Sequence, residues 1–420
     1  MDNSNRQYTE TLDIWNFLKI KEFHWDIKLF NIITGDMGSG KSLCLKLLDF
    51  FENILISSIL ITPGFSRILF ENGYFFDRLS TNFKNDFYLN GTKWPGLKIY
   101  YSFKVIEGSD FSISVEWDDV KDGLSWKCDY LKEKFKKWSN YFSDNETPDT
   151  AWIVKTRIYE DIMHDFNAKL PTQSIFVPAS RAALSIVGSN TPFKDSFLND
   201  FVQSKDFLLT FQDISLSNRL ADIIKIKNIK KNPNDAGDVV LEHKNGRTVP
   251  SLFSSSGQQE LVYLLLLLEK LPEIEFRYGN LLSIFIEEPC AHLFPKEQKE
   301  ITEQIADLFR KEKKIETRFF ITTHSPYILN VVNNMLRKGN MIQENESLKV
   351  VIDKEIDFPA LFLDEVSASF INDDGKREDM LDQNEKMIFA ENIAEISYMI
   401  NEDTIRLDEL NNKLIATHGN

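Results

Sequence analysis

The sequence predicts a mixed α/β fold with a mostly parallel core sheet, an antiparallel β lobe and a largely helical insertion. Two patterns carry this prediction. The apolar run 282–286 has the length of a strand buried on both faces, and it precedes a helix-like spacing at Ile301 and Ile305; this alternation is typical of parallel sheets. Residues 91–117 contain runs rich in β-branched and aromatic residues, which favour antiparallel strands beside the core.

Length and composition indicate a folded chain of about two to three structural units. The 420 residues are 42% hydrophobic and 27% charged, which are ordinary values for globular proteins. The formal net charge of -15 repels nucleic acid and anionic lipid, so any such contact would need a local basic patch.

Cysteine usage and hydropathy favour a reducing compartment. Cys44, Cys128 and Cys290 lack the CxxC spacing of a zinc or redox site. The longest apolar run, 261–268, is much shorter than the roughly 18 residues that a membrane span needs, and the polar N-terminal residues lack a signal-peptide core. We therefore expect a soluble cytoplasmic protein without membrane contact.

Changes of pattern along the chain suggest soft domain boundaries. Apolar residues at Leu131, Phe135 and Trp138 follow a helical spacing, which marks the start of the insertion. The expected units are a first lobe at 1–127, a mainly helical insertion at 128–236 with a core strand near 174–177, a second lobe at 237–340, and a C-terminal extension at 341–420.

A glycine-rich loop fits the pattern GxxxxGK(S/T) and lies between a predicted strand and a predicted helix, the context that a phosphate-binding loop requires. Its residues are Gly35, Asp36, Met37, Gly38, Ser39, Gly40, Lys41 and Ser42. The glycines let backbone amides approach phosphate oxygens beside a positive helix end. Lys41 would neutralise the β and γ phosphates of ATP, and the Ser42 hydroxyl would bind Mg²⁺. The alternative is a glycine turn with an incidental lysine.

Two adjacent carboxylates follow the strand 282–286. Because side chains alternate along a strand, Glu287 can support the Mg²⁺ shell while Glu288 faces an attacking water as general base. Taken alone, the pair is equally consistent with a solvated loop. A second apolar strand, 319–322, leads to His324, which could hydrogen-bond the γ-phosphate, although a lone histidine is usually structural.

A serine-rich turn places Ser255, Gly257 and Gln258 at the head of an apolar helix. It could bind phosphate at the positive helix end or serve only as an N-cap. With this turn, the motifs GDMGSGKS, SSSGQQE, FIEEP and ITTHSP stand in the order found in the ABC-type ATPases, which the chain resembles. More narrowly, 287–295 and 323–329 look like the soluble OLD and RecF-like branch, which includes the anti-phage ATPases of the PARIS and Septu systems.

The resemblance implies an ABC-type P-loop ATPase head that binds ATP and Mg²⁺ and hydrolyses ATP at a site shared by two copies of the chain. Homo-oligomerisation, as a dimer of heads or a higher assembly, would then be part of catalysis. The residues implied as catalytic or nucleotide-binding at the shared site are Lys41, Glu288 and His324 of one copy and Ser255, Gly257 and Gln258 of the other.

The chain departs from the family pattern at several places, which include position 179, Cys290, Phe294 and the region after residue 340. Ala179 stands where transporter ATPases have a glutamine, and Arg181 is the candidate that couples the site to the insertion, or a residue that merely forms a surface ion pair. The region 341–420 is short for the Toprim nuclease domain of some relatives. A separately encoded effector, such as a nuclease or toxin, and a phage protein as trigger are therefore the expected partners.

Other functions remain open at the level of sequence. A DNA-repair or recombination ATPase similar to RecF or SMC would bind DNA through two lysine groups, although such runs are usually solvated faces. The groups are Lys127, Lys132, Lys134, Lys136 and Lys137, and then Lys225, Lys227, Lys230 and Lys231. A slowly hydrolysing scaffold, the motor of a membrane transporter, and a GTPase are further alternatives. The long insertion and the Glu-Glu-Pro pattern at 287–289 disfavour the transporter motor, and the lack of an Asn-Lys-x-Asp motif disfavours the GTPase.

Overall fold

A computed structural model describes residues 8–55, 66–70, 73–142, 148–179, 214–273, 281–310 and 316–389. In chain order the strands are β1 (Tyr8–Phe17), β2 (Ile20–Asp26), β3 (Phe30–Gly35), β4 (Lys98–Val105), β5 (Asp110–Asp118), β6 (Gly123–Lys127), β7 (Pro171–Val177), β8 (Asn228–Asn232), β9 (Asp235–Glu242), β10 (Thr248–Pro250), β11 (Leu281–Glu287), β12 (Glu316–Thr322), β13 (Val366–Ile371), β14 (Arg377–Asp379), β15 (Leu381–Asp382) and β16 (Met387–Ile388). The helices are α1 (Lys41–Glu52), α2 (Tyr74–Asp86), α3 (Asp129–Ser139), α4 (Pro148–Asp165), α5 (Asn218–Ile223), α6 (Ser256–Lys270), α7 (Pro295–Arg310), α8 (Pro326–Glu344) and α9 (Lys349–Glu355).

The core is a six-stranded sheet in the order β14-β13-β3-β12-β11-β7. The five strands from β13 to β7 run parallel to their neighbours, and the edge strand β14 pairs antiparallel with β13. Every residue of β3 and β11 is buried, as expected for parallel strands that are covered on both faces. The predicted α/β class with a mostly parallel sheet is confirmed.

The two faces of this sheet carry different helices. Ile33 and Phe320 share one apolar core with the leucines of α1 and with the β lobe. Ile32 and Ile321, the neighbouring residues on the same strands, share a second core with the leucines of α6 and with α7 and α8. Because successive side chains on a strand point to opposite faces, α1 and α6 lie on opposite sides of the sheet.

The antiparallel lobe is a five-stranded sheet in the order β2-β1-β4-β5-β6. β1 pairs with β4 along its length, from Tyr8 opposite Val105 to Trp15 opposite Lys98. Its inward side chains belong to the same core as α1. The predicted antiparallel β lobe is thereby confirmed, and it packs against the helix that follows the glycine-rich loop.

A fully buried arginine joins this lobe to the central sheet. Arg318 of β12 forms ion pairs with Glu10 of β1 and with Glu52 at the end of α1, the latter at 2.7 Å. It also donates to the Ser283 hydroxyl of β11 over 2.8 Å. Three elements around the glycine-rich loop are therefore tied to a single guanidinium group.

The proposed domain boundaries remain predictions, but several elements bear on them. The region 128–236 contains α3, α4 and α5 together with β7, which lies at the edge of the central sheet beside β11. In the region 341–420, β13 pairs in parallel with β3. Sequence analysis did not anticipate that strand, because small polar residues at Ser367 and Ser369 interrupt its apolar pattern.

Candidate nucleotide-binding site

The carboxyl ends of four parallel strands bring the candidate residues to one edge of the sheet. β3 ends at Gly35, β7 at Val177, β11 at Glu287 and β12 at Thr322, and their ladders keep these ends together. In open α/β sheets this edge is where ligands bind. The structure therefore places the glycine-rich loop, the paired acids and the segment that contains His324 next to one another.

The glycine-rich loop turns through backbone conformations that favour glycine. Gly35, Gly38 and Gly40 have φ values of 144°, 75° and 110°, in the region that L side chains rarely adopt. A Cβ atom on Gly35 would lie 2.5 Å from the carbonyl oxygen of Ile371, so the β13 strand also requires glycine there. These constraints hold the loop curled over the start of α1.

Helix α1 begins without a side-chain cap among the described residues, and its first main-chain bond runs from Cys44 N–H to the Gly40 oxygen at 3.1 Å. The amides of its first turn thus have no acceptor within the helix. Such an end attracts phosphate, because these N–H groups and the helix dipole both favour a negative charge. The loop fits a nucleotide phosphate on its own geometry.

Lys41 is buried inside this loop. Its ammonium donates to the oxygens of Gly35 at 3.0 Å and Asp36 at 2.9 Å, and it lies 3.0 Å from Nε2 of His324. Burial lowers the pKa of Lys41, and the negative charges of Glu288 and Asp36 oppose that shift. The lysine is held between the glycine-rich loop and His324.

Glu288 and His324 contact each other directly. The His324 main-chain N–H donates to Oε2 of Glu288 at 3.2 Å, and its ring Nε2 lies 3.3 Å from Oε1. Glu288 adopts a left-handed φ of 44°, and its own N–H donates to the Thr322 oxygen at 3.0 Å. Burial, followed by the charge of Lys41, lowers the pKa of His324, which keeps its imidazole neutral near pH 7. The arrangement holds a carboxylate suited to accept a proton.

Glu287 is the last residue of β11. It is buried, and its Oε2 accepts a hydrogen bond from the main-chain N–H of Ala179 at 2.9 Å. Ser42, at the second position of α1, is half-buried. Arg181, the residue expected to couple the site to the insertion, lies outside the described residues.

The donor set fits Mg²⁺. A hydroxyl and a carboxylate are the hard oxygen ligands this ion prefers, and Mg²⁺ usually keeps water or phosphate in its other positions. Among the described residues there is no group of three or more His, Cys, Asp or Glu side chains able to enclose a metal by themselves. Ser42 and Glu287, the two ligands predicted from the sequence, offer one hydroxyl and one carboxylate of this kind.

The serine-rich turn is built as a helix cap. Ser255 precedes α6, and its N–H donates to Oε1 of Gln258 at 3.3 Å; Nε2 of Gln258 donates to the Ile224 oxygen at 2.8 Å. A Cβ atom on Gly257 would contact Cδ2 of Leu293 at 3.3 Å. The turn therefore packs against the loop that follows the paired acids.

The structure does not bring this turn to the glycine-rich loop of the same chain. Helix α6 lies on the opposite face of the sheet from α1. Sequence reasoning also missed two neighbours of the site. The first is the Ala179 amide, a main-chain group that no residue type reveals. The second is Asp373, which is separated from Asp36 by most of the chain although the Asp36 carboxyl lies beside it and raises its pKa.

Most of the lysines considered for DNA binding are ion-paired within the fold. Acidic partners lie within 4 Å of seven of them, which neutralises much of the local positive potential. The pairs are Lys127–Glu116, Lys132–Asp129, Lys134–Asp165, Lys137–Asp161, Lys225–Glu297, Lys227–Glu242 and Lys230–Glu242.

In the described part of the chain, no helix combines the length and apolar character needed to cross a bilayer.

Comparison with known proteins agrees with the geometry of the site. Residues 143–329 match the family model of the AAA ATPase domain (AAA_15); this region contains the serine-rich turn, the paired acids and His324, and it follows the glycine-rich loop in the chain. A search of the curated proteins found no match. The family match, together with the loop and the sheet, supports a P-loop ATPase.

Solved structures give distant likenesses. The SMC head domain from Thermotoga maritima is 13% identical, with 77% of this chain and 91% of that chain covered and a TM-score of 0.34. An SMC head bound to the C-terminal winged-helix domain of ScpA is 15% identical over 77% and 91%, with a TM-score of 0.38. A dimeric bacterial ABC transporter cassette is 11% identical over 89% and 98%, with a TM-score of 0.33. Scores this low carry no further conclusion.

Proposed function

We propose that this chain hydrolyses ATP at a site completed by a second copy of itself. One copy would supply the loop 35–42, Glu287, Glu288 and His324, and the other would supply the turn at Ser255 and Gly257. The observation that carries the proposal is the placement of α1 and α6 on opposite faces of one sheet. With that separation, a second chain is the natural source of a turn for each glycine-rich loop.

The residues have distinct tasks in this scheme. Lys41 and the first amides of α1 hold the β and γ phosphates. Glu288 takes the proton of the attacking water, and its contact with the His324 main chain fixes the carboxylate in place. His324 donates from its ring toward the γ-phosphate. Mg²⁺, if held by Ser42 and Glu287, would supply positive charge that offsets the charge of the phosphates.

Exposed apolar side chains favour a protein-covered surface at this edge. Met37 in the glycine-rich loop, Phe253 before the serine-rich turn, and Phe294 after the paired acids are 92%, 74% and 76% exposed. A second copy that covers these side chains would remove their apolar surface from water. All three flank segments that the shared-site scheme places against the second copy, which is the occupant we propose.

We further propose a role in bacterial anti-phage defence, in which the nucleotide state of the ATPase gates a separately encoded nuclease or toxin and a phage protein is the trigger. This role is supported by the motif resemblance at 287–295 and 323–329. The paired lysines weigh against DNA as the main ligand. Steady-state ATP turnover, measured with phage protein and with DNA, distinguishes the two: defence predicts a response to the protein, and DNA repair predicts a salt-sensitive response to DNA.

The proposed ATPase is tested with Glu288→Gln and Lys41→Ala. Glu288→Gln should lower the turnover about 10²- to 10⁴-fold while preserving ATP binding, so that light scattering after size exclusion shows an ATP-dependent dimer. Lys41→Ala is the matched control and should give no dimer with ATP. Unchanged turnover in Glu288→Gln would refute the assignment of the base, and a monomer at saturating ATP would refute the shared site.

A further inference from the structure

A main-chain N–H group contacts the candidate metal ligand. Oε2 of Glu287 accepts a hydrogen bond from the Ala179 N–H at 2.9 Å. Glu287 is only 6% exposed, so water has little access to replace this donor. A hydrogen bond to an ionised, buried carboxylate is among the stronger ones in proteins.

The course of the chain explains why this amide faces the carboxylate. β7 runs parallel to β11, and the last pair in their register is Val177 opposite Ile286. Pro178 follows and has no N–H, so it cannot extend the ladder as a donor. The next amide, at Ala179, meets the side chain of Glu287 instead of a main-chain oxygen.

We propose that the Ala179 N–H is a positioning group for Mg²⁺: it fixes the orientation of the Glu287 carboxylate that serves the metal. The inference rests on the proposed function, because it assumes that the site takes Mg²⁺ with a nucleotide. Groups that hydrogen-bond metal ligands set ligand orientation, and their loss typically weakens metal affinity 10- to 100-fold.

The role of a main-chain donor gives an unusual mutational signature. Changing the side chain at position 179 keeps the N–H, so Ala179→Gly should behave like the wild type. Ala179→Pro removes the N–H and leaves Glu287 itself intact. If the hydrogen bond only stabilises the fold, Ala179→Pro lowers the thermal stability but leaves the Mg²⁺ dependence unchanged.

The test measures binding of a fluorescent ATP analogue to the full chain during a Mg²⁺ titration and, separately, in EDTA. We expect Ala179→Pro to need about 10- to 100-fold more Mg²⁺ for half-maximal enhancement of binding. Ala179→Gly should follow the wild-type curve, and all three proteins should bind the analogue equally in EDTA. A Mg²⁺ curve for Ala179→Pro that overlies the wild type would overturn the inference, as would an equal loss of binding with and without Mg²⁺.

A second substitution at position 179 and the result for the wild-type protein complete the test. If Ala179→Pro fails to fold, lactic acid introduced at position 179 by nonsense suppression replaces the N–H with an ester oxygen and should give the same shift in Mg²⁺ dependence. The failure of the proposed function is distinguishable: a wild-type chain that shows no nucleotide binding with Mg²⁺ removes both proposals. Wild-type binding with unaltered variants removes only the role of Ala179.

Discussion

Replacing Arg318 with methionine should strongly destabilise the fold. The guanidinium is fully buried and forms ion pairs with Glu10 and Glu52. Methionine fills much of the same volume but leaves both carboxylates in the apolar core without their counter-ion. Tyr101 continues to donate to Oε1 of Glu10 at 2.7 Å, so the Glu10 carboxylate keeps one partner and Glu52 bears the larger loss.

The expected magnitude follows from this burial. Removing one member of a buried ion pair costs about 3–5 kcal/mol, because a charge is left uncompensated. Burial already raises the pKa of Glu52 above its usual range, against the opposing charge of Arg318. A raised pKa means that stability is full below the unfolded-state value and is lost as the pH rises through the folded-state value. The deficit of Arg318→Met should therefore be larger at pH 8 than at pH 5.

Urea unfolding followed by tryptophan fluorescence measures this deficit. Trp25 is fully buried and its ring lies 5.7 Å from that of Phe320, two residues from Arg318, so it reports on this region. Lys93→Met is the control: its ion pair with Asp122 is exposed, and such pairs contribute at most about 1 kcal/mol. An Arg318→Met protein within about 1 kcal/mol of the wild type at pH 8 would refute the reasoning.

Three further predictions concern the glycine-rich loop. Lys41→Ala should weaken ATP binding about 30- to 1,000-fold in equilibrium titrations, because a buried charge contact is lost; affinity equal to that of the wild type would contradict it. In an NMR titration His324 should protonate below its ordinary pKa of 6.5, and Lys41→Ala should raise that value by removing a neighbouring positive charge. Gly35→Ala should lower the thermal midpoint more than Gly38→Ala, because a Cβ would lie 2.5 Å from the Ile371 oxygen at Gly35 and would meet nothing within 4 Å at Gly38. Equal shifts would argue against that contact.

The parts of the site that depend on local sequence could be predicted from it. The glycine-rich loop needs a fixed spacing between Gly35 and Lys41, and the paired acids need an apolar strand ahead of them. Each requirement concerns residues that are close together in the sequence. Because parallel strands present their carboxyl ends at one edge, the meeting of Glu288 with His324 followed from the order of strands and motifs.

Contacts between distant segments could not be read from such patterns. β13 pairs with β3 although Ser367 and Ser369 give it little strand-like character; burial beside an apolar sheet decides its conformation. The Ala179 N–H contacts Glu287 because of the course of the main chain. Every residue except proline has this N–H group, so the type of residue at position 179 does not predict the contact. Gln258 fits a nucleotide-binding motif, yet its side chain caps α6 and donates to the Ile224 oxygen. The main-chain N–H groups at the start of a helix need acceptors, and a motif that binds phosphate can also serve as a cap.

The shared active site is tested most directly by mixing two inactive variants. Lys41→Ala removes the phosphate contact of one copy, and Gly257→Asp places a negative charge in the turn of the other. A mixed dimer would then hold one site with an intact loop and an intact turn. Because a mixed dimer retains one of its two sites, the account predicts that ATPase activity returns in the mixture, up to about half of the wild-type value when every dimer is mixed. If the mixture is as inactive as each variant alone while mixed dimers are shown to form, the pocket is complete within one chain and the account is wrong.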